Sequence, residues 1–238
     1  MEPQPDRVHR GKGVLIVFEG ISGSGKSEGI GRLRSELKAR GFAASVVEWN
    51  SRGFLRELAE RLKSRNWLGP AAYSLLQWFG FFLDYAFVIV PRLRRNEIVI
   101  ADRYVYTGCT RDIVNGAGRI SGWLWLRLAR APDLLFFFDQ PPFVCWERIQ
   151  RRGKALFYPN RSIRRNSESR NPELVYLTKL REEYGELLKR PGTVKRTRTV
   201  IVTDAQTQVA SCVEAYLLEK WGKAAVYRYG PENRTRGG

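Results

Sequence analysis

An α/β fold is predicted, three layers deep, with a five-stranded parallel sheet between two sets of helices. Three observations predict it. Apolar runs of five to seven residues recur without polar alternation, the pattern of strands buried on both faces. Helical patterns separate these runs, as parallel strands require of their crossovers. The first run passes straight into a glycine-rich loop and then a helix.

The elements follow in order. VLIVFE (14–19) is an unbroken apolar run and reads as a buried strand, with a helix from about Gly25 to Arg40. ASVVEW (44–49) is a second strand, and FLRELAERLKSR (54–65) an amphipathic helix. Residues 70–95 read as one long apolar helix. Its stretch 71–91 has the length of a membrane span, but Gln77 and Asp84 interrupt it and Pro91 closes it. A mid-bilayer Asp costs roughly 2.5–3.5 kcal/mol, so a core helix is expected. EIVIA (97–101) and DLLFFFD (133–139) are the third and fourth strands. PPFVCWERIQRR (141–152) opens on prolines and then runs helical, as helix starts do. NPELVYLTKLREEYGELLK (171–189) is a helix, TVIVTD (199–204) the fifth strand, and a last helix ends near Trp221. The boundaries expected are a flexible arm over 1–12, one α/β domain over 13–222 with a lid at about 153–170, and a frayed tail over 223–238.

Composition narrows the chemistry. The 238 residues carry 41 Lys and Arg against 24 Asp and Glu, a net charge of +17. Such a balance points to an anionic partner: nucleotide phosphates, nucleic acid or a membrane surface. Cys109, Cys145 and Cys212 fit no metal or disulfide spacing and suit a reducing, cytoplasmic setting. The one histidine, His9, lies in the polar arm, which argues against Ser-His-Asp or Cys-His catalysis. That arm, MEPQPDRVHRGKG, lacks the apolar stretch of a secretion signal.

Residues 20–27, GISGSGKS, match G-x-x-x-x-G-K-[ST] in full, with a strand before and a helix after. The fold is therefore expected to be of the P-loop NTPase kind. Gly20, Gly23 and Gly25 let the backbone wrap an anion, and Ser22 and Ser24 complete the loop. Lys26 is expected on the β- and γ-phosphates and Ser27 on Mg²⁺, with a nucleoside triphosphate as the ligand, whether for a kinase, a GTPase or an ATPase. Asp102 ends the third strand beside this loop, where a Mg²⁺ ligand or a base would sit. Arg103 follows with a fork suited to a phosphate. From Arg148 to Arg170 the chain holds eight cations and one acid, Glu168. One reading is a solvated basic loop; the other is a closing lid that brings an arginine to the transferring phosphoryl group. The P-loop has no arginine of its own, which favours the lid, with Arg161, Arg164 and Arg165 as candidates.

Together the segments FEG-x-x-G-x-GKS, VIVPRLRRNEIVIADRY and PDLLFFFD followed by ERIQRRG, with a final strand and helix, resemble the thymidylate kinase family over about residues 13–221. The resemblance implies ATP–Mg²⁺ as donor and transfer of its γ-phosphoryl group to a nucleotide phosphate, by default dTMP to dTDP. It implies that Arg103 holds the acceptor phosphate and that Arg148 lies on the adenine side. The family is often dimeric, and the aromatic-rich helix at 73–87 is a candidate interface.

The acceptor half departs from the family. Ser22 replaces an Asp, and EWNSRG (48–53) replaces REPGG. The helix arginine that meets thymine falls on Phe81, counting back from Pro91, and AYQ becomes Thr110-Arg111-Asp112. Glu48, Arg52, Phe81, Arg103, Arg111 and Asp112 are the candidate acceptor residues, with Glu48 and Asp112 able to face a hydroxyl or amine. Two alternatives follow: a P-loop kinase acting on a hydroxyl of a nucleoside or other small molecule, and, third, an ATP-regulated nucleic-acid-binding protein.

Overall fold

The computed structural model describes residues 13–50, 52–65, 67–153, 156, 171–190, 197–203 and 208–222. The N-terminal arm, the C-terminal tail and the lid other than residues 153 and 156 lie outside them, and so do Arg161, Arg164 and Arg165.

Five parallel strands form one sheet in the order β2-β3-β1-β4-β5. They are β1 (Val14–Glu19), β2 (Ala44–Glu48), β3 (Ile98–Asp102), β4 (Leu134–Phe138) and β5 (Arg198–Val202). Side chains alternate across each strand, so the sheet builds two cores. Leu15, Val17, Val99, Ala101, Leu135 and Phe137 face one of them. Val14, Ile16, Phe18, Ile98, Ile100 and Phe136 face the other. Against the second core pack α1 (Lys26–Ala39) and α9 (Gln208–Trp221), through Leu33, Leu37, Val213 and Leu217. Against the first pack α3 (Pro70–Asp84), α5 (Val105–Asn115), α6 (Ile120–Leu128), α7 (Pro142–Arg151) and α8 (Pro172–Lys189). The amphipathic α2 (Gly53–Ser64) lies beside α3.

The expected long helix over 70–95 is three pieces. After α3 comes a π-helical turn, Tyr85–Ile89, and then α4 (Val90–Arg94). The cause is Pro91, which has no N–H and whose ring would press on the carbonyl four residues back in a regular helix. A wider turn, with Val90 N–H reaching the Tyr85 carbonyl, accommodates it. By length and a mean hydropathy of 1.4 the segment Pro70–Arg94 could cross a membrane. Here Trp78, Phe81 and Ile89 are buried in the first core, as a core helix requires.

Two helices were not anticipated. In α5, β-branched residues and Gly108 lower helix propensity, so local pattern is weak. In α6, ISGWLWLRL, apolar residues fall on nearly every face and leave no period to read.

Register sets the site. Phe18 pairs with Asp102, and Asp102 pairs with Glu48. The carboxyl ends of β1, β3 and β2 therefore finish side by side, and Glu19, Asp102 and Glu48 all stand at that end of the sheet.

Candidate functional site

The loop after β1 takes the form its glycines allow. Gly20 and Gly23 have φ of 138° and 84°, a region costly to other residues. A Cβ on Gly20 would meet the Phe138 carbonyl at 2.6 Å, and one on Gly23 would strike the Cys145 carbonyl. The loop is thus seated against β4 and α7 with no room for a side chain at either point. Lys26 begins α1 and is buried; its Nζ donates to the carbonyls of Gly20 (2.9 Å) and Ile21 (2.8 Å) and to Ser24 Oγ (3.2 Å). Burial pushes its pKa down to about 7, and the neighbouring Arg103 charge adds to the effect. Arg148, on α7, donates to the Gly23 carbonyl at 3.3 Å.

Arg103 crosses from the end of β3 to this loop. Its Nη1 donates to the Gly20 carbonyl (2.9 Å) and to Thr107 Oγ1 (3.4 Å), and its Nη2 to Ser22 Oγ (3.2 Å). All three acceptors are neutral oxygens, so its charge is left for another anion. Its backbone is at φ 76°, an uncommon state for a non-glycine residue. The next residues hold it there. Glu19 Oε1 accepts from the N–H groups of Tyr104 (2.7 Å) and Thr107 (3.2 Å). Glu19 Oε2 accepts from Thr107 Oγ1 (2.6 Å) and Tyr184 Oη (2.8 Å). One fully buried carboxylate thus ties β1 to the start of α5 and to α8, and burial raises its pKa.

Two cavities of about 360 Å³ each flank this arginine. One is lined by residues 22–28, Arg152, Tyr176 and Tyr184. The other is lined by Glu48, Trp49, Asn50, Leu55, Glu60 and Gln77, among others. Tyr73, Asp102, Arg103 and Arg111 line both. Two guanidiniums and a carboxylate therefore stand in the wall where a group could pass from one cavity to the other. Ser27 lines the first cavity with Asp102. Among the described residues no three His, Cys, Asp or Glu side chains converge as a metal cage. One hydroxyl and one carboxylate suit a Mg²⁺ that takes its other ligands from phosphates and water.

Of the acceptor candidates, Glu48, Arg103 and Arg111 line the second cavity. Phe81, Asp112 and Arg52 are not among the residues lining either one. Phe81 is one turn beyond Gln77 on α3, and the indole of Trp49 covers it at a centroid distance of 5.2 Å and 23°. Asp112 is buried and accepts from Trp78 Nε1 at 2.6 Å. Arg52 pairs with Asp84 at 3.4 Å.

Sequence reasoning passed over Glu19, Trp49, Tyr73, Gln77, Thr107 and Tyr184. Glu19 carried a signal, a carboxylate ending an otherwise apolar buried run, which is rare without a partner. The others lie on helices or loops whose inward face only the packing reveals.

A family model described as thymidylate kinase matches residues 18–214. "Probable thymidylate kinase 2" of Saccharolobus solfataricus is 32% identical over 149 residues, 61% of this chain and 68% of its own length. "Thymidylate kinase" of Methylococcus capsulatus is 27% identical over 86% of this chain and 99% of its own. "Thymidylate kinase" of Leptospira interrogans is 28% identical over 87% and 95%.

Proposed function

The chain belongs to the thymidylate kinase family of ATP-dependent phosphotransferases, and from that premise we propose that it transfers the γ-phosphoryl group of ATP to the phosphate of dTMP, giving dTDP and ADP. The observation that carries this reading is the common wall of the two cavities, where Arg103 and Arg111 make hydrogen bonds only to neutral oxygens among the described residues.

The donor phosphates enter the loop of Gly20, Ser22, Gly23, Ser24, Gly25, Lys26 and Ser27, with Arg148 toward the adenine side. Ser27 and Asp102 are the residues to hold Mg²⁺, which when bound neutralises phosphate charge during transfer. The acceptor phosphate lies on Arg103 and Arg111. A phosphate monoester is already ionised at neutral pH, with a second pKa near 6, so no strong base is needed. Catalysis then rests on alignment and on charge stabilisation. Arg161, Arg164 or Arg165 supplies a further guanidinium from the lid. The setting is cytoplasmic.

The test is ADP release with monophosphates, nucleosides and unrelated alcohols, with Lys26→Ala as control. Turnover on dTMP supports the proposal. Turnover only on an alcohol would favour the hydroxyl reading, with Glu48 as the base, since it lines the acceptor cavity beside Asp102. Arg103→Ala is expected to lower kcat/KM for the monophosphate by about 10²–10³-fold with a small change in the KM for ATP. Arg103→Lys keeps the charge but loses the fork and recovers only part of the rate.

The chain is also proposed to form a homodimer through α3. Leu75, Phe79 and Phe82 recur at helical spacing and are exposed, with Phe87 beyond them. Phe79→Glu with Phe82→Glu is expected to halve the mass seen by light scattering. If wild type and variant both run as monomers, this face is not a dimer contact.

A further inference from the structure

We infer that Gln77 is the base-reading residue of the acceptor cavity and that it selects a pyrimidine with a carbonyl at the 4-position over one with an amine there, thymidylate over cytidylate. The inference rests on the monophosphate kinase reading above and names the group that would set its acceptor.

The argument starts from a locked amide. Gln77 Oε1 accepts from Trp49 Nε1 at 2.8 Å and from Arg111 Nη1 at 3.1 Å. Both partners are donors only, so the amide atom between them is the oxygen, and the orientation is settled by chemistry. The nitrogen, with two N–H groups, is thereby turned the other way. Nε2 donates to none of the described residues, and the side chain is part of the cavity wall. A half-buried amide with both donors unspent, facing a cavity, recognises an acceptor atom.

The surroundings keep it so. The indole of Trp49 is stacked on Phe81 and edge-on to Trp78 at 5.9 Å, so it cannot swing away from Oε1. Arg111 also lines both cavities, which places the amide one side chain away from the phosphate end. The 4-carbonyl of thymine or uracil accepts from one of the two donors. The amine that cytosine carries at that same position would set donor against donor, which leaves polar groups unpaired and costs more than a missing contact.

Gln77→Glu tests this with little change of shape. A carboxylate still accepts from Trp49 and Arg111 but donates nothing. The ratio of kcat/KM for dTMP to that for dCMP is expected to fall by about 10- to 100-fold, with the KM for ATP unchanged. Thermal melting checks that the variant folds, and Gln77→Asn, which keeps the donors on a shorter arm, separates reach from chemistry. If wild type turns over a monophosphate and the Gln77→Glu ratio stays within about threefold, or if wild type prefers dCMP, the inference on Gln77 fails and the kinase reading stands. If wild type turns over no monophosphate, the kinase reading fails and takes this one with it.

Discussion

Lys26→Met is expected to lower kcat by about 10²–10³-fold, the usual cost of removing one preorganised donor from a developing charge. The physical reason is that Lys26 is the one ammonium held inside the phosphate loop, fixed by two carbonyls and a hydroxyl. The same confinement sets a pH effect. Burial lowers its pKa from 10.5 to about 7. The lysine is an ammonium in the unfolded chain up to about 10.5, so its burial costs the fold progressively as pH falls from there, and in full below 7. A bound triphosphate restores the ammonium. At pH 8, ATP binding is therefore expected to take up close to one proton at this site, and at pH 6 almost none. Calorimetry in buffers of different ionisation enthalpy reads this uptake. Equal uptake at both pH values, or the same difference persisting in Lys26→Met, would count against the assignment.

Glu19→Ala is expected to destabilise the chain by about 3 kcal/mol and to reduce activity in whatever stays folded. Four donors from three residues converge on this carboxylate. Losing the acceptor leaves the Tyr104 amide buried and unpaired, at roughly 1–3 kcal/mol, takes the shared acceptor from the Thr107 and Tyr184 hydroxyls, and leaves the Thr107 amide only its 3.1 Å bond to the Tyr104 carbonyl. That outweighs the relief of removing a desolvated charge. Arg103 would also lose the anchor of its φ 76° backbone. Glu19→Gln keeps an acceptor oxygen and should retain most of the stability. The linkage has a definite sign. The folded pKa is raised above 4.5 by burial, so the carboxyl favours the fold most when neutral, and that contribution is lost as pH rises through the raised value. Urea unfolding should show wild type at its best relative to Glu19→Gln near pH 4 and losing ground toward pH 8. A flat difference would mean that Glu19 titrates alike in both states.

The donor half was legible because its chemistry is local. Eight consecutive residues form the loop, and glycine is needed in it where a positive φ and a closely passing backbone coincide, as at Gly20 and Gly23. The five strands were legible because burial on both faces makes each a short apolar run. The second cavity is assembled from the end of β2, α2, α3, the end of β3 and α5, segments spread along the chain. Counting along α3 toward Phe81 could not reveal that Trp49, from the end of a different strand, lies over it. Nor could the isolated segments show that Asp112 turns to Trp78 and Arg52 to Asp84.

Sequence alone determined the parallel sheet, the phosphate loop and the strand-end pair Asp102-Arg103, because burial patterns and backbone geometry act over a few neighbouring residues. Tertiary structure alone decided which side chains border the second cavity, how Glu19 holds Arg103 and which way the Gln77 amide points. Those depend on where a neighbouring element stops and what it offers to hydrogen bond, and neither is written within any one segment.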